Sequence, residues 1–220
     1  MISAATLIFL KNLSENNHRD WFLDHKSEFE KAKSDVYSLT QAIIKRLAGF
    51  DPDIPSDLDP KNCVMRIYRD IRFSKDKTPY KTNFGIAISA NGKNFKGPGY
   101  YIHIEPQKSF IAAGSWFPES EQLKAIRQEI DYNSADWNEL LNEEGFKSAF
   151  GDLNTEGKLK AVPKGYSADH PDIEYLKLKS FTVTHAIPDA QLAEGQVVDN
   201  IAVIFEKVYP LMVFLRSAIS

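Results

Sequence analysis

The segment FGIAISANGKNFKGPGYYIHIEPQKSFIAAGSW, residues 84–116, decides the fold class. It breaks into three short runs rich in Ile, Tyr and Phe, FGIAISA, GYYIHIEP and SFIAAGSW, separated by Gly, Asn, Pro and Lys-containing turns. Short β-prone runs with turn chemistry between them predict an antiparallel meander. FTVTHAI, residues 181–187, reads as one more strand, and VMRIYRDIRF, residues 64–73, as another immediately upstream. Outward from the strands the pattern turns helical. SAATLIFLKNL predicts a short opening helix. Asn17, with Asp20 three residues on, predicts the cap of a second. From there Phe22, Phe29, Leu39, Ile43 and Leu47, with Ala32 and Val36 between, repeat at helical spacing and predict one long amphipathic helix.

After the meander, PESEQLKAIRQEI and SADWNELLNEEGFKSAF are acidic helical segments, and IEYLKLK predicts a short helix. Val198, Ile201, Phe205, Val208, Met212 and Leu215 predict a final helix, with Pro210 expected to kink or interrupt it. The expected fold class is therefore α+β: a mainly antiparallel sheet of about four to five strands, a long N-terminal helix, acidic middle helices and a C-terminal helix. With 220 residues, no repeat and no linker, residues 1–220 read as a single domain.

Composition is that of an ordinary globular chain, 43% hydrophobic and 26% charged, with a net charge of −3. Charge is unevenly placed. Residues 61–81 carry seven Lys/Arg against two Asp, while the rest of the chain is net −8. That balance argues against a general nucleic-acid binder. The lone cysteine, Cys63, excludes an internal disulfide and a multi-cysteine metal site. AATLIFL lacks a preceding basic segment, and no apolar run approaches the ~20 residues of a membrane span. The expectation is a soluble, cytoplasmic protein with no membrane partner.

The charge concentrates in RIYRDIRFSKDKTPYKT, residues 66–82. On an extended 64–73, Met65, Ile67, Ile71 and Phe73 share a face that Arg69 interrupts, and Arg66, Tyr68, Asp70 and Arg72 share the other. Arginine offers a planar fork suited to phosphate or carboxylate, and lysine a point charge on a flexible stem. This segment is the expected pocket for a small anionic ligand, phosphate esters included. Arg66, Arg69, Arg72, Lys77, Tyr80 and Lys81 are its binding residues, with Asp70 and Asp76 as candidate proton-transfer groups. Two alternatives stand beside it: a structural or protein-interaction module whose arginines pair with acids such as Glu143, Glu144 or Asp136, and a single-stranded nucleic-acid binder stacking bases on Tyr68, Tyr80, Tyr100 and Tyr101. The proline- and glycine-framed loop PKGYSADHP adds Lys164 as a further ligand cation, Tyr166 as a hydroxyl and His170 as a third proton-transfer candidate.

FLKNLSENNHRDWF, RIYRDIRFSKDKTPYKTNFG and LKAVPKGYSADHP…LKLKSF, in this order, resemble DUF2461, a family of bacterial and fungal proteins. The resemblance covers nearly the whole chain and implies a single domain of a widespread family. It implies no activity. The motif positions include Asn17, Arg19, Trp21, Phe73, Pro79, Pro163, Gly165 and Pro171 beside the residues above.

No metal and no cofactor is expected. His18 and His25 are two helical turns apart, too far for one ion. His103 and Glu105 share a strand face beside Tyr101, a half-site without an evident third ligand. His185 reads as a hydrogen-bonded core histidine. GKNFKGPG, residues 92–99, has Pro98 where a phosphate-binding loop needs lysine, and reads as a hairpin connection. Cys63 borders the basic segment, which would lower its thiol pKa, but a lone cysteine there reads first as structural.

Overall fold

The computed structural model describes residues 1–94 and 96–220. Helix α1 (Ala4–Glu15) starts at Ser3, whose hydroxyl accepts the Thr6 amide hydrogen at 3.3 Å. The expected long second helix is two helices, α2 (Arg19–Asp24) and α3 (Lys26–Leu47), broken at His25. There the imidazole stacks on Trp21 with ring centroids 4.0 Å apart, and its Nδ1 lies 2.8 Å from the Trp21 carbonyl. A side chain competing for a helix carbonyl offers the backbone an exit, which periodicity alone does not register. The stripe read from the sequence is otherwise present, and Phe29, Ala32, Val36, Leu39, Ile43 and Leu47 are buried along α3. Each fully buried large apolar side chain contributes about 1.5–3 kcal/mol, so this stripe is a principal anchor of the fold.

Four strands, β1 (Phe84–Ile88), β2 (Gly99–Ile104), β3 (Phe110–Ser115) and β4 (Phe181–Ala186), form one antiparallel sheet in the order β1-β2-β3-β4. Period-two alternation is plain in β2: Tyr100, Ile102 and Ile104 are buried, while Tyr101 and His103 lie on the part-exposed face. The connection from β1 to β2 includes a 3₁₀ turn at Gly92–Asn94, as a hairpin connection requires, and Phe95 within it lies outside the described residues. Helices α4 (Ser120–Tyr132), α5 (Ser134–Asn142), α6 (Glu144–Phe150) and α7 (Ile173–Leu176) separate β3 from β4. Helices α8 (Asp189–Leu192) and α9 (Val197–Ala218) follow. Contrary to the expected interruption, α9 runs through Pro210. Burial of Ile201, Phe205, Val208, Met212 and Leu215 along one stripe offsets the hydrogen bond that proline cannot donate. Among the described residues no helix is long and apolar enough to cross a membrane.

The described residues fall into two compact units. The first comprises 1–94, 101–111 and 186–203, and the second the described residues of 95–100 with 112–185 and 204–220. In the first, Phe9, Phe22, Phe29, Tyr80 and Phe84 form a chain of ring contacts. In the second, Trp137 packs against Tyr175, Phe181 and Phe214.

Candidate functional site

The cationic segment does not form the expected strand. Among the described residues, 64–81 make two isolated bridges, Val64 with Ile86 and Tyr68 with Tyr80. Four backbone bonds make these two bridges: Met65 N–H to Gly85 O at 2.8 Å, Ala87 N–H to Cys63 O at 3.0 Å, Arg69 N–H to Pro79 O at 2.9 Å and Lys81 N–H to Ile67 O at 2.7 Å. Between Arg69 and Pro79 the chain is a loop. Asp70 and Asp76 each accept the amide hydrogen two residues on, from Arg72 at 3.3 Å and Thr78 at 2.9 Å, and Pro79 has no amide to donate. Asx turns of this kind satisfy the backbone locally and take away the donors a strand would use. The expected apolar face dissolves with the strand, so that Ile67 is buried while Phe73 is 96% exposed.

Two of the three arginines are spoken for within this loop. Arg69 donates to both the Asp76 carboxylate and the Thr78 hydroxyl. The Thr78 amide and the Arg69 guanidinium together hold the Asp76 carboxyl down to about 2. Arg72 donates to Asp70 through Nε at 3.0 Å and Nη2 at 2.7 Å, a bidentate pair that keeps the Asp70 carboxyl below its ordinary range. Lys77 caps the Ile71 carbonyl at 2.9 Å. The partners of Arg69 and Arg72 are therefore these local aspartates, in place of the Glu143, Glu144 or Asp136 expected from the sequence. Glu143 itself caps α6, accepting the Phe146 amide hydrogen at 2.6 Å.

Arg66 and Lys81 differ. Neither side chain forms an ion pair or hydrogen bond among the described residues. They are electrostatic neighbours: burial, and then the Arg66 charge, push the Lys81 ammonium below its ordinary value. The Arg66 charge also acts on the Asp70 carboxyl, whose bidentate partner is Arg72.

Asn17 fixes the residue before Lys81. It is not the helix cap; His18 takes that place, with Nδ1 accepting the Trp21 amide hydrogen at 3.4 Å. The Asn17 amide instead donates to Tyr80 O at 3.0 Å and accepts Tyr80 N–H at 3.1 Å, pairing like a strand neighbour. Tyr80 is 4% exposed, with its ring stacked on Phe22 at 4.0 Å, and Tyr100 is also core. Of the four tyrosines expected to stack on bases, Tyr68 is the openly exposed one, at 53%.

Tyr101, His103 and Glu105, a half-site in the sequence, form a row of hydrogen-bonding groups in the folded chain. The Tyr101 hydroxyl lies 3.1 Å from His103 Nδ1, His103 Nε2 lies 3.1 Å from Glu105 Oε2, and the Thr82 hydroxyl donates to Glu105 Oε1 at 3.0 Å. His103 is further held by stacking on Phe110 at 4.8 Å. Burial, and then the Glu105 charge, raise the Tyr101 phenol above its ordinary value. Gly85 makes room for this row, since a Cβ there would come within 2.8 Å of the Tyr101 hydroxyl and 3.1 Å of Met65 Sδ. The Thr82–Glu105 end borders a hollow of about 450 Å³.

Lys164, Tyr166 and His170 belong to the second unit. There His170 Nδ1 accepts the Asp172 amide hydrogen at 3.0 Å, which leaves Nε2–H to donate to Asp131 at 2.9 Å. Asp172, itself buried, accepts from Ser134 and from Asn138 at 2.8 Å. The loop containing His170 is thus pinned to α4 and α5 by carboxylates. His185 makes the hydrogen bond expected of it, with Nδ1 2.8 Å from the Ala149 carbonyl. For Cys63 the lowered thiol pKa is reversed, because burial pushes the thiol up to about 11. Among the described residues no group of three His, Cys, Asp or Glu side chains is placed to hold a metal ion.

The chain matches the family model described as conserved hypothetical protein (DUF2461) over residues 5–214. No curated protein and no solved structure matches. With nearly the whole chain covered, and all three resembling segments inside the match, this protein belongs to the DUF2461 family.

Proposed function

We propose that the protein binds a small anionic ligand, such as a phosphate ester, at the base of the 66–81 loop, with Arg66 and Lys81 as the principal cations. One observation supports this reading above the others: within a segment whose other arginines are internally paired, these two cations make no ion pair or hydrogen bond among the described residues, the Arg66 charge acts on Lys81, and Lys81 is half-buried. An anion would relieve their mutual repulsion and Lys81's desolvation together. Arg69, Arg72, Lys77, Asp70 and Asp76 then shape the loop and set the field around the ligand, and the Tyr80 backbone, held by Asn17, places Lys81. The site proposed is confined to the first unit.

The structural reading is favoured for one part of the segment, the Arg69–Asp76 and Arg72–Asp70 pairs, which close inside the loop and need no ligand.

The test is a thermal-shift screen of the purified protein against phosphate, sugar phosphates, nucleotides, carboxylates and short single-stranded oligonucleotides. It is run in parallel on Arg66→Gln/Lys81→Gln and on Arg72→Ala. A ligand at a hundred times its dissociation constant stabilises the fold by about 2.7 kcal/mol. Stabilisation by one small-anion class, abolished in the double variant and retained in Arg72→Ala, is the expected result. A rise with oligonucleotides alone would replace the reading with nucleic-acid binding. No rise with any anion, together with a double variant more stable than wild type, would refute anion binding.

A further inference from the structure

Strand β3 is followed at once by two exposed aromatic rings. Trp116 is 77% exposed and Phe117 52%, with ring centroids 5.4 Å apart and an interplanar angle of 78°. Phe117 has φ +43°, a left-handed backbone that a bulky side chain adopts only under strain. Glycine makes such a turn freely, so reversing the chain does not by itself account for a phenylalanine. The conformation is held from two sides. The Phe117 amide donates to the Ser180 hydroxyl at 2.9 Å, and the phenyl ring lies against Gly157, where a Cβ would stand 3.6 Å from Cζ. Strain fixed in this way by its surroundings clusters where a protein holds a ligand.

The two segments that hold Phe117 also carry a surplus of positive charge. Residues 154–160 and 174–182 lie side by side, with Asn154 N–H bonded to Thr182 O at 2.8 Å and Leu159 N–H to Lys177 O at 2.9 Å. Together they carry four lysines, Lys158, Lys160, Lys177 and Lys179, against Glu156 and Glu174, a net +2. Lys158 and Lys177 share the Glu174 carboxylate, at 2.5 and 2.8 Å. Lys160 and Lys179 make no ion pair or hydrogen bond among the described residues, and Lys179 adjoins the Ser180 that holds Phe117. On the other side of the rings Glu119 is neutralised by Lys96 at 2.6 Å.

Exposed rings beside surplus lysines are complementary to a ligand that is flat at one end and negative at the other. Two rings set nearly at right angles form a corner, in which a flat ring stacked on the indole meets the phenyl edge-on, a favourable pairing. Every nucleobase has a π-face that such a platform accepts, and a neighbouring cation meets its phosphate. A simple anion would leave the rings uncovered, and an uncharged ring would leave the lysines unused.

We propose that Trp116 and Phe117 are a stacking platform in the second unit for a planar heteroaromatic ring carrying a phosphate, as in a nucleotide. Trp116 stacks on the ring, Phe117 meets its edge, and Lys160 and Lys179 balance the phosphate charge. None of these residues belongs to the Arg66–Lys81 site.

The experiment is NMR of the full ¹⁵N-labelled chain with three probes, adenosine 5′-monophosphate, adenosine and ribose 5-phosphate. The Trp116 indole N–H and the Phe117 and Lys179 amides report the platform. The monophosphate is expected to move all three signals saturably, adenosine to move the indole and the Phe117 amide with lower affinity, and ribose 5-phosphate to leave the indole in place. Trp116→Ala, at an exposed position, should weaken monophosphate binding about 5- to 150-fold, the range that loss of base–aromatic stacking gives. Lys160→Gln/Lys179→Gln should weaken the monophosphate severalfold and flatten its salt dependence while leaving adenosine affinity unchanged, a split that misfolding would not produce. Arg66→Gln/Lys81→Gln should alter none of these signals, so failure of the loop site and failure of the platform are read separately. A short single-stranded oligonucleotide that binds the same signals more tightly than the monophosphate would assign the ring to a nucleic-acid strand; equal or weaker binding assigns it to a free nucleotide. An indole signal that the monophosphate leaves unmoved would overturn the proposal, as would equal responses to the monophosphate and ribose 5-phosphate, or unchanged affinity in Trp116→Ala.

Discussion

Replacing Asn17 with alanine isolates the contact that joins the N-terminal helices to the cationic loop. The side chain makes two hydrogen bonds to one residue, at 3.0 and 3.1 Å, and supplies both partners of the Tyr80 backbone. Each such bond contributes about 1 kcal/mol net, and the orphaned, part-buried groups add to the loss. The expected destabilisation is about 2–3 kcal/mol. For a chain of this length that corresponds to a fall in melting temperature of roughly 4–12 °C. Asn17→Asp keeps the acceptor for Tyr80 N–H but sets a carboxylate against the Tyr80 carbonyl, so it should lose at least as much as one bond, about 1 kcal/mol or more. Urea unfolding of the three proteins, with equal m-values, measures the differences directly. Because Lys81 follows Tyr80, Asn17→Ala should also weaken the anion response of the folded protein. A loss below about 0.5 kcal/mol for Asn17→Ala, the range of ordinary surface substitutions, would refute the view that this amide clamps the loop.

Two further outcomes follow from the same structure. Gly114 has φ +122°, and a Cβ there would lie 2.0 Å from the Phe181 carbonyl oxygen, so Gly114→Ala should cost more than about 3 kcal/mol and reduce the yield of folded protein, read by far-UV circular dichroism and melting. The Asp76 carboxyl, held at about 2 in the folded protein against an ordinary 3.8, stabilises the loop at every pH above about 4 and loses that contribution as pH falls through 2. The melting-temperature gap between wild type and Asp76→Asn should therefore be constant from pH 7 to 5 and narrow toward pH 2; a gap that does not change would refute the assignment.

The aromatic, β-branched runs of residues 84–116 and 181–187 determined the sheet, because period-two patterning and turn chemistry are local properties of the chain. The apolar stripe of α3 was legible for the same reason at helical period, and so were the opening and closing helices. The breaks were less legible. His25 ends a helix through a ring stacked on Trp21, and Asn17 leaves its expected cap for a backbone 63 residues away. Neither choice is visible in a window of a dozen residues. Pro210 sits inside a helix because the buried stripe around it outweighs one missing donor.

At the site, the sequence by itself determined that positive charge is concentrated in 66–81 and that Asp70 and Asp76 lie among it. Which cation meets which carboxylate was decided only in the folded chain. Residues 64–73 looked like a strand, yet the aspartates capture the amides that would have built it. Arg69 and Arg72 are thereby drawn to the nearest acids, and among the described residues Arg66 and Lys81 are left without an ion pair, the Arg66 charge acting on both Lys81 and Asp70. The row from Tyr101 through His103 and Glu105 to Thr82 shows the same division. Alternation along β2 determined that the first three share a face, whereas their link to Thr82 and the hollow depends on how the segment before β1 and α1 return to that strand. Local patterning is written in neighbouring residues, but charge pairing and concavity depend on distances between parts of the chain that only folding brings together.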